Sequence, residues 1–348
     1  MNQHLSDLAR RYWDTLMEAN PTTAAILGDH RFADQMEDGS REAEDEVLAE
    51  LTSVREAAAA IDPATLDTED RITRHVLLFE ADGMIGEGMS RTAEYLVDPM
   101  IGPHINLITY IPQVQPTTSE QAAALVVKAS KVGTSFDQAV GRLRQGVANG
   151  RTPPRLAVEK VIGQLDAYLA SPIESDPFLR IRPPEDMDDA AIAAWREAMT
   201  EQVRASVRPG LSRYRDAVAG EIAPAARPQE KSGVCWLPDG EEVYTRAIYR
   251  YTSLDASAEE IHQIGLDEIT SLEDEYRELG GVVLGTGDLG EIYDRLRNDP
   301  ALRFETSEQV KAAAQDALDR ATAAVGDWFG IQPQAPCVLA EVPEVGAE

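Results

Sequence analysis

The chain has 348 residues, 43% of them hydrophobic and 27% charged, the balance of a globular protein and far from that of a disordered one. Its 61 Asp and Glu against 32 Lys and Arg give a formal charge of −29, a field that repels phosphate backbones and anionic lipid and so argues against nucleic-acid and membrane partners. The acids are spread over positions expected to face solvent, and the charge therefore identifies no substrate.

Apolar residues recur at helical spacing almost throughout. Leu5, Leu8, Tyr12 and Leu16 share one face of a first helix that Asn20-Pro21 should stop. Ser40 is a good N-cap for a second, whose stripe Val47, Leu51, Val54, Ala58 and Ile61 runs to the Asp62-Pro63 break. Ile72, Val76 and Phe79 repeat the pattern before a glycine-rich stretch, 83–116, that lacks a sustained period and reads as irregular. Helices resume at Thr118 with Ala122, Leu125 and Ala129, and a neighbouring one carries Phe136, Val140, Leu143 and Val147 up to Asn149-Gly150. Pro153 and Pro154 suit the first turn of the next helix, which shows Val158, Ile162, Leu165 and Leu169.

A proline- and acid-rich connection, 172–189, is a possible internal boundary, followed by a long helical pattern from Ile192 to Val218 that Pro209 should kink. Gly233 to Leu237, ahead of Pro238-Asp239-Gly240, reads as a short strand meeting a turn. Ser257 to Glu260 has the form of a capping box opening a helix to Leu279, and two further helical stripes follow, ending at Trp328. Cys337 to Val342, held between Pro336 and Pro343, reads as a second short strand, expected to pair with Val234 to Leu237.

The two cysteines, Cys235 and Cys337, form no paired motif, which fits a reducing compartment. The first seven residues lack a basic stretch followed by an apolar one, and no run approaches the ~18 apolar residues of a membrane span, so a cytoplasmic location is expected. Signatures of chemistry are scarce. His4, His30, His75, His104 and His262 are scattered, with no HExxH and no pair at helical spacing, so no metal ligand and no catalytic residue is assigned. Gly285-Thr286-Gly287-Asp288-Leu289-Gly290 matches a dinucleotide fingerprint literally, but the helical pattern that follows leaves no further parallel strands, and an interhelical loop with Asp288 as N-cap is the better reading. Tyr244, Tyr249, Tyr251, Arg246 and Arg250 could line a peptide groove, since phenols and guanidinium groups hydrogen-bond backbone carbonyls and carboxylates.

Several segments together resemble the DUF885 family: Gly28-Asp29-His30, Gly102-Pro103, Gly150 through Pro154, Asp176-Pro177-Phe178-Leu179, and above all Gly233 through Asp267 with Leu237-Pro238-Asp239-Gly240, Tyr244, Arg250-Tyr251-Thr252 and Glu259 to Leu266. The resemblance implies a mostly α, multi-helix array like the N-terminal part of channel-forming zinc peptidases, with at most a small β element. It implies a single helical region, 1–348, ending before the family's C-terminal His-Glu motif. No catalytic or metal-binding residue is carried over, and Zn is expected only with that C-terminal half, which would dock on this part. Trp236, Asp239, Tyr244, Arg250 and Tyr251 are the candidates for a groove holding a peptide or small molecule. The functional expectation is therefore the N-terminal portion of a zinc-dependent peptidase or hydrolase, catalytically incomplete in itself. The alternative is a stand-alone helical binding or scaffold protein.

Overall fold

The computed structural model describes residues 2–340, and among them the fold is helical, as the stripes require. The chain divides into two compact units, 1–257 and 258–348. The boundary does not fall at 172–189. That segment lies inside the first unit because Phe178 and Ile181 are buried in its core, and Asp176 accepts hydrogen bonds from Tyr168, the Phe178 N–H and Arg208.

In the first unit, α1 (Gln3–Ala19), α3 (Arg41–Ala60) and α4 (Thr68–Met89) pack around Leu5, Leu8, Val54, Ala58 and Leu77. The short α2 (Pro21–Ile26) lies between α1 and α3 in the chain, and Ser40 caps α3 by accepting the Ala43 N–H. Helix α4 runs straight into the stretch that lacked a period. Its glycines are sites of close approach: β-carbons at Gly83 and Gly88 would lie 2.6 Å from Arg250 and 2.4 Å from Leu48 side chains. Helix α5 (Pro103–Tyr110) fills part of the remainder, so the 83–116 segment is largely helical.

The larger core is built on α6 (Ser119–Ala148), a single 30-residue helix where the sequence pattern indicated two. Against it packs a long rod made of α8 (Asp189–Gln202) and α9 (Arg208–Ala217), and α7 (Arg155–Ala170) packs on α9 in turn. Two π-helical turns, Val203–Val207 and Val218–Ile222, flank α9, so the disturbance expected at Pro209 is a widened turn just before it. Helices α6 and α9 meet at glycines, where a β-carbon on Gly210 would lie 2.8 Å from the Gly133 Cα.

The strand expected at 233–237 is not formed. Val234–Trp236 is a 3-10 turn closed by the Leu237 N–H on the Val234 carbonyl, and Arg227 Nη1 holds the Gly233 carbonyl at 2.6 Å. Residues 337–340 have no regular structure, and Glu341 and Val342 lie outside the described residues, so among the described residues neither segment is a strand. Among the described residues the one β-type contact is an isolated parallel bridge between Pro154 and Arg227. Helix α10 (Gly240–Thr252) completes the unit, resting on α4.

The second unit comprises α11 (Ala258–Val283), α12 (Leu289–Asn298) and α13 (Ser307–Trp328). The glycine motif is the loop from α11 to α12, with Gly285 at φ 76° and Asp288 capping α12 by accepting the Glu291 N–H at 2.8 Å. Among the described residues 258–340, only Gly280 and Ile292 are buried.

Candidate functional site

A cavity of about 340 Å3 lies within the first unit, between α2, the 36–39 loop, α5, α6 and α9. Its wall is mostly apolar, with Met36, Leu96, Leu107, Ile111, Phe136 and Leu143. Three wall residues carry a polar atom that finds no partner in the protein: Thr22 Oγ1, Arg142 Nε and Tyr214 Oη. All three side chains are buried, Tyr214 completely. Burial pushes the Tyr214 phenol well above its ordinary pKa, so its hydroxyl keeps its proton. Tyr214 is held by Phe136, 5.2 Å between ring centroids, and by His104, 6.4 Å away. Burial also lowers the His104 pKa, against a hydrogen bond from its Nε2 to Gln164, and the ring is fully enclosed. Glu37, also in the wall, accepts the Thr22 N–H at 2.8 Å. Beside it the enclosed Lys128 ammonium donates to the Gln35 carbonyl at 2.6 Å, its pKa lowered to about 8 by burial.

Arg142 joins this cavity to an ionic network. Its Nη2 donates to Glu44 at 2.8 Å, and Glu44 is shared with Arg91, which also holds Asp45. Glu94, only 3% exposed, accepts from Arg41 at 2.6 Å and lies 3.8 Å from Arg151, which donates to Asp239 at 2.7 Å. Arg91 sits in the left-handed region at φ 49°, and the four arginines are matched by four carboxylates.

The family pattern for bacterial proteins of unknown function DUF885 matches residues 21–348. The chain belongs to the DUF885 family. Comparison with curated proteins gives no match. Among solved structures, the chain is similar to a "putative lipoprotein" from Colwellia psychrerythraea, with a TM-score of 0.84 and 20% identity over 98% of this chain and 63% of that one. It is also similar to a "putative lipoprotein of unknown function" from Shewanella oneidensis, with a TM-score of 0.64 and 15% identity over 98% of this chain and 61% of that one. At these identities the likeness shows the fold. This DUF885 chain thus spans under two thirds of the length of these two solved structures.

The groove candidates do not converge. Asp239 turns into the arginine network, and Arg250 lies on α4 with Glu80 at 3.1 Å, Glu87 at 3.3 Å and the Phe79 ring beneath it. Trp236 is half exposed under the Lys231 ammonium, and Tyr244 and Tyr251 are exposed seven residues apart on α10. The cavity residues were not singled out from the sequence as a site. The signal available was a charged residue at a core position: Lys128 and Arg142 interrupt the apolar face of α6 and are buried there. Among the described residues, no three His, Cys, Asp or Glu side chains are placed to hold a metal, and no helix is long and apolar enough to cross a membrane.

Proposed function

We propose that this DUF885 chain is the helical, ligand-holding portion of a peptidase-like hydrolase, and that a further segment docking on residues 258–340 supplies the chemistry. The observation that carries the reading is the face of α11. Ile269, Leu272, Tyr276, Leu279 and Val283 follow one another at steps of three and four and are all 40–73% exposed. An amphipathic helix of this kind gains its stability by burying that stripe, and among the described residues 258–340, of which two are buried, it has not done so. The solved structures of the same fold are longer by a third or more of their own length, which is material enough to cover it.

In this reading a zinc ion, the water it polarises and a Glu general base belong to the further segment, because the described residues offer no fitting set of donors. The exposed Trp236, Tyr244 and Tyr251 remain candidates for guiding a peptide or small molecule. Two free, exposed cysteines fit a reducing cytoplasm, whereas the lipoprotein description of the two neighbours supports export, and fractionation of cells carrying the native gene separates the two. The second reading, a stand-alone binding protein, is favoured by the cavity.

Light scattering on the 348-residue chain separates these readings. Association through residues 258–340, relieved when the downstream segment is co-expressed, supports the first. A chain that stays monomeric at high concentration, with 258–340 protected from hydrogen exchange, overturns it in favour of the second.

A further inference from the structure

The cavity in the first unit carries an inference independent of what docks on residues 258–340. A buried hydroxyl or guanidinium N–H without a partner costs about 1–3 kcal/mol, and unsatisfied groups of this kind are rare in folded proteins. Here Thr22, Arg142 and Tyr214, the residues that carry the orphan Oγ1, Nε and Oη, all line one cavity. Each side chain is more than nine-tenths buried, with Thr22 at 8%, Arg142 at 3% and Tyr214 at 0% exposure. The volume, about 340 Å3, falls at the lower end of the ~300–1,000 Å3 of small-molecule sites, and such sites combine apolar walls with a few polar groups.

We propose that this cavity is a binding site for an uncharged amphiphile, a medium-length apolar chain bearing a carbonyl or similar acceptor oxygen. The donor inventory sets the head group. Arg142 Nε–H can only donate, and the two hydroxyls can donate as well as accept, so the complementary ligand brings acceptor oxygen. The charge inventory sets its neutrality. The Arg142 guanidinium is already matched by Glu44 at 2.8 Å, and Glu37 stands on the same wall with its carboxylate on the Thr22 N–H. A ligand carboxylate would be buried beside Glu37, and the cavity wall holds no cation that is free of a carboxylate to pair with it. The remaining wall, with Met36, Leu107, Ile111 and Phe136, accepts the apolar chain.

The test is calorimetric titration of the full chain with octanamide, octanoate and octylammonium, repeated on two variants. Tyr214→Phe keeps the ring against Phe136 and His104 and removes the orphan hydroxyl. Ala139→Phe fills the cavity from α6. The expected result is saturable binding of octanamide, weaker or absent for the two ions. Binding should be lost in Ala139→Phe and weakened roughly threefold to tenfold in Tyr214→Phe. Without ligand, Tyr214→Phe should melt no lower than the parent, because it removes an unsatisfied group, whereas a purely structural hydroxyl would destabilise the fold when lost. No saturable binding of octanamide, tighter binding of octanoate, or a Tyr214→Phe variant that binds as the parent does would each overturn the proposal. If Ala139→Phe does not fold, the Tyr214→Phe result decides.

Discussion

Asp176 offers the sharpest test of how the first unit is held together. Its carboxylate is fully buried. One oxygen accepts the Tyr168 hydroxyl at 2.6 Å and is approached by Arg208 Nε at 3.4 Å, and the other accepts the Phe178 N–H at 3.2 Å. Replacing Asp176 with Ala strands the Tyr168 hydroxyl and the Phe178 N–H at about 1–3 kcal/mol each. Arg208 loses its carboxylate partner but keeps the Ser171 carbonyl at 2.8 Å and hydroxyl at 3.0 Å, which softens that part of the loss. The sum is about 3–5 kcal/mol, the usual cost of removing one side of a buried charged pair, against a whole-protein stability of about 5–15 kcal/mol. Asp176→Asn keeps an acceptor for one of the two donors and should lose about half as much. Urea unfolding followed by far-UV circular dichroism measures both, with an unchanged slope showing that the denatured state is the same. In a cycle with Tyr168→Phe, the pair should show a coupling of about 1–3 kcal/mol. An Asp176→Ala variant within about 0.5 kcal/mol of the parent would refute the reasoning, since that is the range of an unremarkable surface change.

Two further outcomes follow from burial and close approach. Lys128 has its pKa lowered from 10.5 to about 8 by burial, so between those values the unfolded chain binds more protons and stability rises with pH. The full difference is worth about 3 kcal/mol, and Lys128→Met should flatten the rise between pH ~8 and ~10; an unchanged slope in that variant would assign it to another group. Gly146→Ala should destabilise by about 1–3 kcal/mol or more, because the new β-carbon would lie 1.8 Å from the Glu94 carbonyl oxygen. Gly163→Ala, with nothing within 4 Å, should instead raise the melting temperature through a gain of about 0.5–1 kcal/mol in helix propensity. Shifts of the same sign in the two variants would contradict the geometry.

What could be read from the sequence was what neighbouring residues decide among themselves. Ser40 and Thr118 cap their helices as their types and following residues indicate, and Asp288 closes the glycine loop in the same way. The 83–89 stretch was misread because its helix depends on Leu48, Arg246 and Arg250, side chains from distant parts of the chain that occupy the space left by missing β-carbons. Gly233 to Leu237 has the composition of a strand, but the fold supplies no partner strand and holds the segment through Arg227. The break expected within 119–148 fails for a similar reason: Gly133 weakens the local pattern, yet it is where Gly210 of α9 approaches. Of the cavity only the charged Arg142 on the apolar face of α6 left a trace in the sequence, since Thr22, Arg142 and Tyr214 are joined only by folding, and Tyr214 on its own is one more member of an apolar stripe.

That stripe has an arithmetic of its own. Val203, Val207, Leu211, Tyr214, Val218 and Ile222 are all within 1% of complete burial, although Val203 and Ile222 stand 19 positions apart. At about 100° per residue a regular α-helix would carry Ile222 about 100° past the azimuth of Val203, out of the core. Each π turn holds one residue more than an α turn and so takes up about 100° of rotation, one before and one after α9, at the expense of a looser turn at each end. The spacing of this segment is therefore a count that cannot be edited freely. Deleting one residue from 203–207 would remove the residue the π turn absorbs and leave Leu211, Tyr214 and everything beyond them in phase, whereas a residue added there would exceed what the turn absorbs and swing them toward solvent.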